Sequence, residues 1–116
     1  MSYIDGFLIA VPEANKAAYL KMAEQTAVLF KEYGAVRVVE AWGDDVRDGK
    51  VTDFKMAVKA EPGETVVFSW VEWPDKATRD KGHEIMMADE RMMALGEAPF
   101  DGKRMVIGGF ATLLDE

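Results

Sequence analysis

Two successive strand–helix–strand patterns constrain the fold of this chain more than any other feature. The first pattern starts with residues 3–11, which are rich in β-branched and aromatic types and end at Pro12, as is typical of a strand. A helix is predicted next, because residues suited to one buried face recur at three- and four-residue steps: Tyr19, Met22, Ala23, Thr26, Leu29, Phe30 and Tyr33. Gly34 predicts the end of that helix, and residues 35–42 are the second predicted strand.

The second pattern repeats this order. Residues 65–73 predict a strand that Pro74 closes, and Asp75 predicts the cap of a helix. On a helical wheel one face holds Thr78, Gly82, Ile85 and Met86, and the opposite face holds Asp80, His83, Glu84 and Met87. A short helix over 90–95 and a turn over 99–102 lead into the last predicted strand, residues 103–114.

The segment between the two patterns, residues 46–64, has two interpretations. Turns are predicted over 47–50 and 61–64. Between them, Asp53 is suited to cap a short helix over 54–60, with Phe54, Ala57 and Val58 facing inward. A short strand is the alternative interpretation of the same residues.

This order predicts an α+β fold of the ferredoxin-like βαββαβ type, a four-stranded antiparallel sheet with two helices on one face. A sheet with one wet face should alternate apolar and polar residues, but these strands do not. Odd- and even-numbered residues of a strand point to opposite faces, and here both sets (the two parities) are apolar. The odd-numbered set is Phe7, Ile9, Val11, Val67, Val71, Met105, Ile107 and Leu113, and the even-numbered set is Ile4, Leu8, Ala10, Val66, Phe68, Trp70, Val106, Phe110 and Leu114. Both faces should therefore be buried, and a second copy is the economical cover for the face without helices, giving a homodimer.

Length, charge and composition narrow the function. The 116 residues fit a single domain, residues 1–116. A net charge of −7 argues against nucleic acid and anionic lipid as partners. The chain has no cysteine and one histidine, so we expect no metal and no cofactor. Because neither a signal peptide nor an apolar run of about 20 residues is seen, we expect a cytoplasmic protein outside the membrane.

Three acids fall inside predicted strands, where a buried carboxylate is costly: Asp5, Glu40 and Glu72. Arg37 and Arg104 are basic residues of the same set of strands. One interpretation is a polar cluster that lines a pocket, in which desolvation raises the pKa of a carboxylate able to act as a base. The other is a set of satisfied ion pairs at the sheet ends or at the dimer seam.

The remaining candidates are one histidine and several strand residues. His83 is a candidate general base or haem ligand, yet the wheel predicts that it faces away from the core and is simply solvated. Five aromatic residues are candidate walls for a flat apolar ligand, or else fill the core or the seam: Trp42, Phe68, Trp70, Trp73 and Phe110. The Gly108-Gly109 pair predicts a bulge, or a close approach by a partner subunit or ligand.

Several blocks between Tyr3 and the C-terminus carry a resemblance when taken together. They are Tyr3-Ile4-Asp5-Gly6-Phe7, residues 34–40, Gly43-Asp44-Asp45-Val46, residues 64–70, Arg79-Asp80, residues 99–105 and Gly108-Gly109-Phe110. In these blocks the chain resembles the YbaA-like family of uncharacterised bacterial proteins. The resemblance implies a ferredoxin-like domain of the dimeric α/β-barrel superfamily, in which two sheets pack face to face. It implies no established activity and therefore no catalytic residues to transfer.

Two functional hypotheses follow from these observations. The first is a homodimer that binds a small apolar ligand in a pocket between sheet and helices, without chemistry. The alternative is a cofactor-free monooxygenase or isomerase of the dimeric α/β-barrel type. In that alternative Glu40 or Asp5 would be the base, and Arg37 or Arg104 would steady developing charge. The sequence leaves open whether the protein is an enzyme.

Overall fold

The computed structural model describes all 116 residues and shows an α+β protein with one open, four-stranded antiparallel sheet. The strands are β1 (Tyr3–Pro12), β2 (Arg37–Trp42), β3 (Glu64–Trp73) and β4 (Val106–Ala111). The helices are α1 (Lys16–Glu32), α2 (Phe54–Ala57), α3 (Lys76–Ala88) and α4 (Glu90–Met93), with single 3-10 turns at Glu13–Asn15 and Gly102–Arg104. The predicted α+β class and four-stranded antiparallel sheet are confirmed.

Strand β1 lies inside the sheet, whose order is β2-β3-β1-β4. It pairs with β3 along its whole length, from Tyr3 opposite Trp73 to Pro12 opposite Glu64. Strand β4 pairs only with the first half of β1, up to Leu8. Side chains in that half of β1 therefore have a neighbouring strand on both sides.

Helices α1 and α3 contact the same face of the sheet, which we call the helix face. Two clusters of buried residues lie under them: Ile9, Val11, Tyr19, Ala23 and Val67 in one, and Leu29, Tyr33, Ala35, Val71 and Trp73 in the other. The strand members of both clusters belong to one parity, as the sequence predicted. The core of the protein is thus the space between this face and α1, closed at one side by α3.

Two glycines and one aspartate set the positions of α1 and α3. Gly34 follows α1 with a φ of +116°, a left-handed conformation that glycine adopts without strain. Asp75 caps α3 by accepting the backbone N–H of Thr78 at 2.7 Å. Gly82 is buried, and a β-carbon there would lie 2.6 Å from the Trp73 ring. The missing side chain therefore lets α3 approach the sheet closely.

The other face of the sheet, which we call the open face, is largely uncovered. Its apolar side chains include Phe68, Val106 and Phe110, which are 47%, 41% and 60% exposed. The segment around α2 covers one end of this face, where Val58 is buried with Ala10 and Val66. The prediction of apolar residues on both faces is confirmed, but within the chain the helix face is covered by α1 and α3 and the open face only at one end.

The structure corrects three details of the sequence prediction. Of the two interpretations of residues 46–64, the short helix capped by Asp53 is the one observed, but it ends at Ala57 rather than at residue 60. Val58 is buried with Ala10 and Val66, whereas Phe54 and Ala57, which were expected to face inward, are exposed. The Phe54 ring lies against Phe68 of the open face, with ring centroids 6.0 Å apart. The last strand begins at Val106, because residues 102–104 form a 3-10 turn capped by Asp101, and it ends at Ala111. Helix α4 ends at Met93 rather than at residue 95.

Candidate functional site

A buried carboxylate on β1 collects the most polar contacts on the helix face. Asp5 is 1% exposed, and its Oδ2 accepts the indole N–H of Trp73 at 2.9 Å. Its Oδ1 faces Arg79, with Nε at 3.0 Å and Nη2 at 2.9 Å. His83 Nε2 lies 2.8 Å from Oδ2. We call these four residues the Asp5 cluster.

The fold brings the Asp5 cluster together from three elements. Asp5 projects from the half of β1 that has strands on both sides, Trp73 ends β3, and Arg79 and His83 stand one helical turn apart on α3. A buried carboxylate is costly unless it is paired and hydrogen-bonded, and here every buried side-chain nitrogen and oxygen has a partner. The hydrogen bonds to Asp5 raise the pKa of the Arg79 guanidinium further above its usual value.

The position predicted for His83 was wrong. The helical wheel placed it away from the core, whereas its ring meets the buried Asp5 and is 30% exposed. The ring also stands edge-on to the Trp73 indole, with centroids 5.9 Å apart. The wheel failed because it treats a polar residue as outward-facing, and this side of α3 covers a polar group rather than an apolar one.

The approach predicted at Gly108-Gly109 comes from the chain itself. A β-carbon at Gly109 would lie 2.5 Å from the Tyr3 hydroxyl and 2.8 Å from Arg79 Nη2. The guanidinium of Arg79 also lies 5.1 Å from the centre of the Tyr3 ring, within the range of a cation–π contact. Glycine at 109 therefore leaves the room in which Arg79 reaches Asp5.

The second polar feature of the helix face lies in a cleft between α1 and β2, which we call the α1–β2 cleft. Its volume is about 380 Å³, and its walls are mostly apolar. The lining residues are Lys16, Ala17, Tyr19, Leu20, Ala23, Glu40, Ala41, Trp42 and Val67. The cleft therefore lies between sheet and helix, where the sequence analysis expected a pocket.

Glu40 supplies the acidic group of the α1–β2 cleft. The Tyr19 hydroxyl donates a hydrogen bond to its Oε1 at 2.5 Å. Desolvation raises the pKa of the Glu40 carboxyl above its ordinary value, although hydrogen bonds from Tyr19 and Ser69 oppose the shift. Burial, together with the neighbouring Glu40, also raises the pKa of the Tyr19 hydroxyl. The cleft thus combines apolar walls with a carboxyl group that holds its proton more readily than a free glutamate.

The third strand acid, Glu72, is in neither place. It has the parity of the open face, where it accepts the Trp70 indole N–H at 2.9 Å and lies 3.6 Å from Arg37. Asp5, Glu40 and Glu72 therefore do not form one cluster. Each has its own partners, and two of the three are on the helix face.

Arg104 is also remote from the other predicted site residues. It makes two contacts of 2.7 Å with the Glu64 carboxylate and one of 3.0 Å with Asp101. It also donates to the backbone carbonyl of Lys59 at 2.9 Å. Arg104 thus joins the turn before β4 to the start of β3 and to the segment after α2.

The five predicted aromatic residues divide between the two faces, and Trp73 fills the core of the helix face. Trp42 lines the α1–β2 cleft, with its ring centroid 6.4 Å from that of Tyr19. Phe68, Trp70 and Phe110 line a shallow apolar depression on the open face. The aromatic residues therefore do not wall a single cavity.

Sequence reasoning missed three residues that the structure places in these sites. Tyr19 was assigned to the core face of its helix, Trp73 only to an aromatic wall or the core, and Arg79 received no role. Tyr19 and Glu40 are 21 positions apart and Asp5 and Arg79 are 74 apart, so no local spacing links them. The available signal was chemical, because a strand acid at a buried position requires a donor from elsewhere.

The structure contains no group of three or more histidine, aspartate or glutamate side chains arranged to hold a metal ion. None of its helices combines the length and the apolar character needed to cross a membrane.

Comparison with known proteins identifies the class to which this fold and these sites belong. The chain belongs to the family described as protein of unknown function (DUF1428), whose family model matches residues 2–102. Its relatives include "Uncharacterized protein YbaA" of Escherichia coli (strain K12) and the proteins of the same name in Escherichia coli O157:H7 and Shigella flexneri. Each is 59% identical over 117 aligned residues, which cover 100% of both chains. The resemblance found in the sequence is confirmed.

Proposed function

We propose that this protein is a homodimer that binds a small aromatic molecule carrying a hydroxyl or amine group in the α1–β2 cleft. The observation that carries the proposal is the combination, in one cleft, of apolar walls and the Glu40 carboxyl. Small-molecule sites are typically apolar clefts with a few polar groups that fix orientation.

The shape and chemistry of the cleft support this ligand class. Its volume of about 380 Å³ exceeds that of a one- or two-ring aromatic compound and lies within the range of small-molecule sites. The Trp42 ring offers a flat surface, and Lys16 Nζ lies 5.2 Å from the centre of that ring. An ionised carboxylate has about four acceptor positions, so Glu40 can accept a donor of the ligand besides the hydroxyls of Tyr19 and Ser69.

The test is titration of isotope-labelled protein with phenol, p-cresol and α-naphthol, followed by NMR. We expect resonances of Ala17, Leu20 and the Trp42 indole to move with a common dissociation constant. Ala17→Trp should fill the cleft and weaken binding at least about tenfold, a loss of about 1.4 kcal/mol. Ala18→Trp is the matched control, since Ala18 is also exposed on α1 but does not line the cleft. Absence of shifts for all three compounds, or shifts confined to the open face, would contradict the proposal.

Glu40 gives the binding a defined pH dependence. A ligand that donates to the ionised carboxylate should bind more weakly as the pH falls through the raised pKa of Glu40. The midpoint should therefore lie above the ordinary pKa of a glutamate side chain, 4.5. In Glu40→Gln the affinity for α-naphthol should be lower and independent of pH over this range. An unchanged pH profile in that variant would exclude Glu40 as the ligand's partner.

The open face supports the homodimer. Exposed apolar side chains that form a contiguous patch mark interaction surfaces, and Phe68, Trp70 and Phe110 are contiguous here. A second copy packed face to face would cover this patch, and the antiparallel order β2-β3-β1-β4 agrees with the ferredoxin-like arrangement that such dimers use. Sedimentation velocity at micromolar concentration should show a species larger than the protomer. A single protomer-sized species at all accessible concentrations would refute the dimer.

The raised pKa of Glu40 favours one further function, the cofactor-free isomerase or monooxygenase in which Glu40 removes a proton from the bound substrate. Asp5 is less suited to that role because both of its oxygens are engaged by donors. Arg37 and Arg104 do not line the cleft. Incubation with α-tetralone in deuterated water should then give exchange of the protons next to its carbonyl, lost in Glu40→Gln. Equal exchange in the wild type and the variant would exclude this activity.

A further inference from the structure

The Asp5 cluster shares no residue with the α1–β2 cleft and has a chemistry of its own. We propose that His83 is the proton acceptor of a hydrolytic site for small carboxylic esters, and that Asp5 is its positioning residue. The site combines a buried carboxylate, a histidine on that carboxylate and an exposed edge of the imidazole ring.

The contacts of Asp5 determine which nitrogen of His83 carries the proton. The side chains of Trp73 and Arg79 can only donate hydrogen bonds. Trp73 donates one to Oδ2, and Arg79 makes two contacts with Oδ1. Paired with the Arg79 guanidinium, Asp5 acts as a carboxylate and can only accept. The hydrogen between His83 Nε2 and Asp5 Oδ2, 2.8 Å apart, therefore belongs to the histidine. In the neutral ring the lone pair is then on Nδ1.

His83 Nδ1 is free to act on a molecule outside the fold. No protein group forms a hydrogen bond with Nδ1, and the side chain is 30% exposed. The ring cannot turn freely, because Asp5 holds one edge and the Trp73 indole stands edge-on to it at 5.9 Å. A histidine whose tautomer and orientation are fixed by a carboxylate is an arrangement that general-base catalysis uses.

The His83 ring is packed against β1, β3 and its own helix α3, and the charged groups near it come from β1 and α3. Asp5 comes from β1, and Arg79 precedes His83 by one turn of α3 and also pairs with Asp80 at 3.0 Å. Trp73 of β3 brings no charge. The positive charge of Arg79 is thus compensated by Asp5 and Asp80.

The proposed reaction uses only the ester and water. Nδ1 accepts a proton from a water molecule as the water oxygen attacks the ester carbonyl. The tetrahedral intermediate then expels the alcohol or phenol, which recovers the proton from Nδ1, and the acid product forms. The bond broken is the acyl C–O bond of the ester and the bond formed is the acyl C–O bond to the water oxygen.

The test combines kinetics and NMR on the full chain, with p-nitrophenyl acetate as the probe. His83→Gln is the critical variant, because the glutamine amide can still donate to Asp5 but has no basic nitrogen. We expect its rate of nitrophenolate release to be at least about tenfold below that of the wild type. Glu84→Gln, an exposed change on the same helix, should leave the rate unchanged.

The tautomer of the single histidine is the second readout, and it is measured first on the wild-type protein. Isotope-edited NMR of the wild type near neutral pH should show Nε2 protonated and Nδ1 unprotonated. Asp5→Asn presents an amide N–H that can point at the ring, so the Nε2–H tautomer should lose population and the ester rate should fall. Equal rates in wild type and His83→Gln, or a proton on Nδ1 in the wild type, would overturn the proposal and leave His83 a purely structural link between α3 and β1.

Discussion

Both faces of the sheet carry apolar side chains, but they meet different neighbours. The helix face is covered by α1 and α3, and it also contains a fully buried acid, Asp5, with donors from three side chains. The open face is more uniformly apolar at its centre and yet leaves Phe68 and Phe110 about half exposed. One face therefore holds polar groups that the chain satisfies itself, and the other holds apolar groups that it does not cover.

The difference predicts which property of the protein a substitution on each face should change. On the helix face a change removes contacts that already exist within one chain, so its effect appears in the stability of the protomer. On the open face, under the proposed homodimer, a change removes contacts with the second copy, so its effect is expected in assembly. Four substitutions test this division.

Replacing Asp5 with alanine should have the largest effect. It leaves Arg79, His83 and the Trp73 indole without their common acceptor, and loss of one partner of a buried ion pair is strongly destabilising. We expect the free energy of unfolding to fall by about 3 kcal/mol in urea denaturation. Glu84→Gln on α3 should change it by less than about 0.5 kcal/mol. A loss below about 1 kcal/mol for Asp5→Ala would show that the cluster is not a structural centre.

Gly82→Ala should have the next largest effect. Its β-carbon would lie 2.6 Å from the Trp73 ring and 3.1 Å from the Tyr33 carbonyl oxygen, so α3 must move away from the sheet. We expect a loss of about 1–3 kcal/mol from overpacking, although alanine is the better helix former. Gly102→Ala is the control, because nothing lies within 4 Å of its added β-carbon. Equal stability of the two variants would mean that α3 is not held tightly against Trp73.

The ion pair of Glu64 and Arg104 should give a smaller, pH-dependent effect. The Arg104 hydrogen bonds lower the pKa of Glu64 to about 2 in the folded protein, below the ordinary value of 4.5. The contribution is therefore fully present above the unfolded pKa and is lost as the pH falls from there towards about 2. Urea denaturation at about pH 7 and about pH 3 should show a smaller acid-induced loss in Glu64→Gln than in the wild type. The same loss in both proteins would contradict the assignment.

Phe110→Glu should have the smallest effect on the protomer itself. Phe110 is 60% exposed, and such surface changes usually alter the unfolding free energy by less than about 0.5 kcal/mol. The expected change is in how the urea midpoint depends on protein concentration, because a dimer unfolds at higher urea when the protein concentration is raised. The urea midpoint of the wild type should rise with concentration, and that of Phe110→Glu should not. A concentration-dependent midpoint in both proteins would place the interface elsewhere.

The overall fold was predictable because the apolar periodicity agreed with the proline, glycine and capping residues along most of the chain. Pro12 and Pro74 closed two strands, Gly34 ended α1, and Asp53 and Asp75 capped two helices as expected. The errors fell where local signals were weak. The strand was predicted to start at residue 103, but a 3-10 turn occupies residues 102–104. Arg104, the last residue of that turn, is hydrogen-bonded to Glu64, which is 40 positions away in the sequence.

The sites were only partly predictable. The sequence identified Asp5 and Glu40 as strand acids in need of partners. It could not identify Arg79, His83 or Tyr19 as those partners, because the pairings depend on how α1 and α3 lie across the sheet. The amphipathic wheel was misleading for His83 for the same reason, since a helix that covers a polar group turns a polar residue inward.

The most direct test of the division between the two faces is the mass of the protein by light scattering. At the same micromolar concentration, the wild type should have twice the chain mass of 12.9 kDa and Phe110→Glu should have a mass near 12.9 kDa. Asp5→Asn should keep the wild-type mass as long as it is folded, because Asp5 lies on the helix face. A wild-type mass near 12.9 kDa would contradict the account, since the open face would then stay uncovered.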